Sequence, residues 1–122
     1  MLSVLVVDDE PNLRLLTRRM LTRLNCESIE ASNGIQGEEL ALEHKPDLVL
    51  LDIMMPVQDG YETCAHLRTR GYNGVIILVS AISELEGKSR AAEIGANAYI
   101  PKPMTLDVLR LHLQHLQSYQ TA

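Results

Sequence analysis

Apolar runs alternate with polar, periodic stretches along the whole chain. Leu2–Val7, Leu48–Leu51 and Val75–Val79 are nearly continuous Val, Ile and Leu. Such runs predict strands covered on both faces, as in a parallel sheet. Glu27–Ala31 and Ala98–Ile100 are shorter and more mixed, as strands nearer a sheet edge would be. Between the runs the apolar positions fall on a helical period. Leu13, Leu16, Met20, Leu21 and Leu24 share one helix face, and Pro11 suits that helix's first turn, where no amide donor is needed. A second helix is predicted from Asn33 to His44, weakened by Gly34 and Gly37. A third starts near Asp59, a good cap, and buries Cys64 and Leu67. A fourth covers Glu84–Ile94 and stops at Gly95. The last starts at Thr105, buries Leu106, Leu109, Leu113 and Leu116, and leaves QSYQTA as a tail.

The resulting order is strand–helix five times. Crossovers between parallel strands are right-handed, so the helices cover both faces of one twisted sheet. This predicts a doubly wound α/β fold in one domain, residues 1–122. In such sheets ligands bind beyond the carboxyl ends of the strands, where strand order reverses. Asp8 and Asp9 follow the first strand, Asp52 ends the third, Ser80 ends the fourth and Lys102 follows the fifth. All five therefore share the carboxyl edge.

Three carboxylates brought together repel one another unless a cation joins them. Oxygen-only donors with room for water suit Mg²⁺. Lys102 adds a second positive charge and Ser80 a hydroxyl. Such a set neutralises phosphoryl oxygens, and phosphoryl transfer needs little beyond positioning and charge compensation. Asp52 can then act as a nucleophile that forms an aspartyl-phosphate. Read singly, the same residues have plainer roles: Asp8 and Asp9 as a helix-capping pair, Lys102 as a solvated lysine, Ser80 as a strand-end hydroxyl, Tyr99 as core.

Composition narrows the field. A chain of 122 residues, 46% of them hydrophobic, can bury one proper core, and with 3% aromatics that core must be aliphatic. A net charge of −5 with no basic tract argues against an electrostatic nucleic-acid footprint. No apolar run approaches a membrane span, and the N-terminus lacks the basic start of a signal peptide. Cys26 and Cys64 have no metal spacing, which fits reduced thiols and a cytoplasmic location. His44, His66, His112 and His115 lie on predicted helices and share no edge.

The stretches VVDDEP, PDLVLLDIMMPVQDG, VIILVSA and GANAYIPKP, in this order and spacing, resemble the response-regulator receiver domain of two-component signalling, including its single-domain chemotaxis-type members. The resemblance covers the whole chain. It implies a flavodoxin-like five-stranded parallel sheet of order 2-1-3-4-5, in which the first and third strands adjoin. Asp52 resembles the phosphoacceptor. Asp9 resembles a direct Mg²⁺ ligand, and Asp8 one that acts largely through metal-bound water. The backbone carbonyl of Met54 would complete the protein ligands. Lys102 would pair with a phosphoryl oxygen, and Ser80 would hydrogen-bond the phosphoryl group. Tyr99 matches the aromatic switch residue, and Lys102–Pro103 the family's cis peptide.

The implied function is a signalling switch, not an enzyme beyond its own phosphorylation and dephosphorylation. A sensor histidine kinase or histidine phosphotransfer protein would donate the phosphoryl group. The surface of the fourth helix, fifth strand and fifth helix would then change for a downstream protein target. Asn97 and Ala98 stand where the dimeric transcription-factor branch usually has two acidic residues, so a monomer or weak dimer is expected. Pro101 before Lys102 is a further departure. Two alternatives compete. A Mg²⁺-dependent phosphohydrolase with an aspartyl nucleophile would need an acid where Met54 stands. A docking pseudo-receiver would be expected to lack one of the five key residues, and none is missing. A dinucleotide-binding domain is excluded, because DDEPN replaces the glycine-rich turn after the first strand.

Overall fold

The computed structural model describes residues 1–120. Its elements run β1 (Ser3–Val7), α1 (Pro11–Arg23), β2 (Glu27–Ala31), α2 (Gly34–His44), β3 (Leu48–Asp52), α3 (Gly60–Thr69), β4 (Val75–Ser80), α4 (Glu84–Glu93), β5 (Ala98–Pro101), α5 (Leu106–Gln114) and α6 (Leu116–Gln120). The strands form one parallel sheet in the order β2-β1-β3-β4-β5.

The pleat sorts alternate residues to opposite faces. Leu5, Val7, Val49, Leu51, Ile76, Leu78 and Tyr99 pack on one side with Ala41, Cys64, Leu67 and Ala91 from α2, α3 and α4. Val4, Val6, Leu48, Leu50, Ile77, Val79 and Ile100 pack on the other with Leu21, Leu109 and Leu116 from α1, α5 and α6. Every residue of β3 and β4 is buried, as the continuous apolar runs require.

The helix face shared by Leu13, Leu16, Met20, Leu21 and Leu24 is packed only in part, for among the described residues of α1 Leu21 alone is buried. Leu13 and Leu16 are 38% and 53% exposed. The helix lies over β1 and β2, and its first half overhangs an open groove at the carboxyl edge instead of a packed neighbour. The last helix breaks at His115, whose amide is shared between the carbonyls of Leu111 and His112, and residues of the expected tail form α6. On these segments Leu109 and Leu116 are buried, while Leu106 and Leu113 are half-buried. Finally, the glycines do not weaken α2 without return. A Cβ on Gly37 would lie 2.8 Å from the side chain of Val7, so its absence lets α2 seat closely on β1.

One loop residue is strained. Val57 has φ 70°, and Gln58 N donates to Pro56 O across it at 2.8 Å. A β-branched side chain rarely takes this conformation. Val57 is 87% exposed, so no packing depends on it. Val57→Gly should therefore raise stability by about 1 kcal/mol, the relieved strain outweighing the added unfolded-state entropy. Urea unfolding of the two proteins measures this, and an equal or lower midpoint for the variant would contradict it.

Candidate functional site

Sheet register creates the site. Val7 pairs with Leu51, so Asp8 and Asp52, the next residue on each strand, emerge side by side. Asp8, Asp52 and Lys102 continue the parity of Val6, Leu50 and Ile100, and all six but Ile100 line one cavity of about 380 Å³ on the α1–α5 side. Leu13, Leu16, Met20, Val79 and Met104 complete much of its wall.

Asp8 is held from three directions. Its amide donates to Ala31 O at 3.2 Å, its Oδ1 accepts from Glu10 N at 2.9 Å, and its carbonyl accepts from Arg14 Nη1 at 2.8 Å. Arg14 is in turn paired with Glu30 of β2. The capping of α1 falls to Glu10, whose carboxylate accepts from Asn12 N and Leu13 N. Asp8 and Asp9 are thus not spent as caps. Asp9 is exposed, and one carboxylate oxygen from each of Asp8, Asp9 and Asp52 lies within 4.8 Å of the others.

Asp52 is 6% exposed. Burial pushes its carboxyl from 3.8 to about 6, with the Asp8 charge adding to the rise and Lys102 and a backbone hydrogen bond from Met54 opposing it. Lys102 Nζ stands 3.4 Å from Asp52 Oδ2 and 3.6 Å from Asp8 Oδ2. These separations exceed a good hydrogen bond, so its role here is mainly Coulombic. The lysine is fixed by its own amide, which donates to Ser80 O at 2.8 Å, and by a cis peptide to Pro103.

Ser80 lies one residue beyond Val79, the register partner of Asp52. Its side chain is buried, and its Oγ has no hydrogen-bond partner among the described residues. Buried hydroxyls are normally satisfied, so this one is available to an incoming oxygen. Tyr99 sits on the opposite sheet face from the cavity and is 4% exposed. Its phenol hydrogen is shared between Ile82 O at 2.7 Å and Ser80 O at 3.0 Å. Met54, in the loop after β3, has a side chain 62% exposed.

The structure thus brings Asp8, Asp9, Asp52 and Lys102 together, with Ser80 adjoining and Tyr99 gripping the Ser80 backbone. The histidines lie elsewhere: His66 Nδ1 is 2.9 Å from Glu38, and His112 Nδ1 is 2.7 Å from the Tyr119 hydroxyl. Sequence reasoning missed Arg14 and the groove beside α1. Arg14 carries no local signal, because its partner Glu30 comes from another strand. The groove had a faint one: the apolar stripe of α1 reaches back to Leu13, beyond what the sheet can cover.

The acidic cluster fits a hard divalent cation. Its donors are carboxylate oxygens, two of the three residues are buried, and one lysine cannot offset three negative charges.

Comparison with known proteins agrees with this geometry. The family model for the response regulator receiver domain matches residues 4–114. A probable C4-dicarboxylate response regulator of Priestia megaterium is 32% identical over 97% of this chain, which spans 53% of that protein. Sporulation initiation phosphotransferase F of Bacillus subtilis is 31% identical over 88% of this chain and 87% of its own length. Among solved structures, chemotaxis protein CheY4 of Vibrio cholerae superposes with TM-score 0.88 at 26% identity, covering 95% of this chain and 98% of that one. The BeF3-activated N-terminal receiver domain of Klebsiella pneumoniae RstA superposes with TM-score 0.86 at 32% identity, covering 93% and 97%. The chain spans about half the length of several relatives it matches. With the family model spanning both the carboxylate-bearing strand ends and the lysine loop, the chain belongs to the response regulator receiver domains of two-component systems.

Proposed function

We propose that Asp52 accepts a phosphoryl group from a phosphohistidine on a sensor kinase or phosphotransfer protein, in the cytoplasm, and that the acquired charge alters the α4–β5–α5 surface for a protein target. The observation that carries this reading is the meeting of three carboxylates within 4.8 Å, with Lys102 3.4 Å from Asp52. Asp8, Asp9 and Asp52, with the backbone carbonyl of Met54, would hold Mg²⁺, which when bound supplies positive charge for the phosphoryl oxygens. An Asp52 carboxylate oxygen attacks phosphorus; the O–P bond forms as the P–N bond to the donor histidine breaks. Lys102 and the Ser80 hydroxyl receive the phosphoryl oxygens. The phosphohydrolase alternative is disfavoured, since the apolar Met54 occupies the position of its acid.

The donor's landing place follows from the groove. Leu13 and Leu16, exposed on α1, line the cavity that contains Asp52, and Leu15 is exposed on the same helix. An apolar helix of the donor would cover them and bring its phosphohistidine to the acidic edge. Asn97 supports a monomer. Its Oδ1 accepts from Ile76 N and Arg68 Nη2, both at 2.9 Å, so the side chain is committed within the fold.

Three outcomes follow. Asp52→Asn should abolish Mg²⁺-dependent labelling by acetyl phosphate, and Asp9→Ala should reduce it at least tenfold; full labelling of either variant moves the chemistry elsewhere. In chelator, Asp52→Asn should also be the more stable protein above pH 6. There the buried carboxylate must ionise. Stability of the wild type falls as pH rises through the window from 3.8 to about 6, by up to about 3 kcal/mol, and the gap closes below it. Unfolding curves at pH 4 and pH 8 measure it. Leu16→Glu should slow phosphotransfer from the partner protein at least tenfold while acetyl phosphate labelling is unchanged. Loss of both activities, or of neither, would remove α1 from the docking surface.

A further inference from the structure

The first turns of α4 lie over the ring of Tyr99. Gly87 is buried there, and a Cβ built on it would lie 2.4 Å from Tyr99 Cε2, 2.5 Å from Cζ and 2.8 Å from Cδ2. Real Cβ atoms do not approach so closely, and three ring atoms are affected at once. The ring cannot simply tilt aside, because its hydroxyl is tied to the carbonyls of Ser80 and Ile82. Those carbonyls belong to the short loop that leads into Ser83, the N-cap of α4. The inward ring thus holds the β4–α4 loop at one end and fills the notch at Gly87 at the other.

The ring also borders a second space. An open groove of about 540 Å³ runs between α4 and α5, lined by Ala91, Ala92, Val108 and His112 and by Tyr99 itself. Small alanine side chains leave room there for an aromatic ring. The inward place is closed and polar at its far end, while the groove is open and is lined by Lys88, Asn97 and His112 as well as by apolar side chains.

We propose that Gly87 is a positioning residue of the switch: its missing side chain is the seat of the inward Tyr99 ring and biases the β4–α4 loop toward the inward state before phosphorylation. The functional half of this statement rests on the phosphoacceptor reading of Asp52. The structural half does not. With Tyr99 seated, the Ser80 backbone is already clamped and its Oγ has no partner among the described residues. The phosphoryl group then meets a loop that needs little rearrangement, and the tyrosine position is coupled to the phosphoryl site through the Ser80 main chain.

The test uses the whole chain with 3-fluorotyrosine at Tyr61, Tyr72, Tyr99 and Tyr119, the Tyr99 resonance being the one lost in Tyr99→Phe. A soluble paramagnetic probe should broaden that resonance at least fivefold more in Gly87→Ala than in the wild type. Adding Mg²⁺ and beryllofluoride should not restore its protection. A Tyr99 resonance equally protected in both proteins overturns the proposal. A double-mutant cycle guards against a merely structural effect. In a Tyr99→Ala background, Gly87→Ala should stabilise the protein, raising the folding constant by about fivefold, because alanine is the better helix residue. In the wild-type background it should lower that constant. Equal effects in the two backgrounds overturn the seat. Both measurements can be made without a phosphoryl donor. Failure of acetyl phosphate to label Asp52 would therefore sink the phosphoacceptor reading and leave the seat standing, whereas a protected Tyr99 in Gly87→Ala would do the reverse.

Discussion

The confinement of two buried carboxylates on neighbouring strands is the constraint on which the rest of the structure depends. Asp8 and Asp52 emerge one residue beyond a register pair, at 7% and 6% exposure. Neither can retreat, because each is the end of a strand whose other residues are locked into an aliphatic sheet. Burial and mutual repulsion lift the Asp52 carboxyl to about 6, and one lysine at 3.4 Å only partly offsets this. The fold thus stores an electrostatic deficit at one edge, which a divalent cation would relieve. On the proposed reading, conversion of Asp52 to an acyl phosphate would remove its own share of that deficit.

Sheet parity divides the labour. Asp8, Asp52 and Lys102 extend rows that face α1 and α5, and the cavity beside Asp52 opens on that side. Tyr99 extends the row that faces α4. The Asp52 cavity and the Tyr99 ring therefore occupy opposite faces of one sheet, and the Ser80 main chain lies between them. Its carbonyl accepts from both Lys102 N and the Tyr99 hydroxyl.

Local rules are broken where this work is done. Exposed leucines line the start of α1, a valine holds a left-handed conformation in the loop after Asp52, and a glycine interrupts α4. Each costs stability if considered alone. The leucines border the groove and the glycine admits Tyr99. Nothing in the structure explains why valine is kept at position 57.

Much was legible in the chain itself. Continuous apolar runs specified buried parallel strands, because no other element hides four or five consecutive aliphatic side chains in so short a stretch. The residues that end those runs marked the carboxyl edge, and the motif spacing marked the family. Helix burial was less legible. Periodicity tells which residues share a face, but what that face meets is set by neighbours distant in sequence, so nothing local showed that Leu13 and Leu16 line a groove. The break at His115 had no local signal, since the apolar spacing runs straight through to Leu116. The pairing of Asp8 with Arg14, the orphaned Ser80 hydroxyl and the fit of Tyr99 under Gly87 also belong to the tertiary structure. Each is a distance between segments that only the folded sheet brings together.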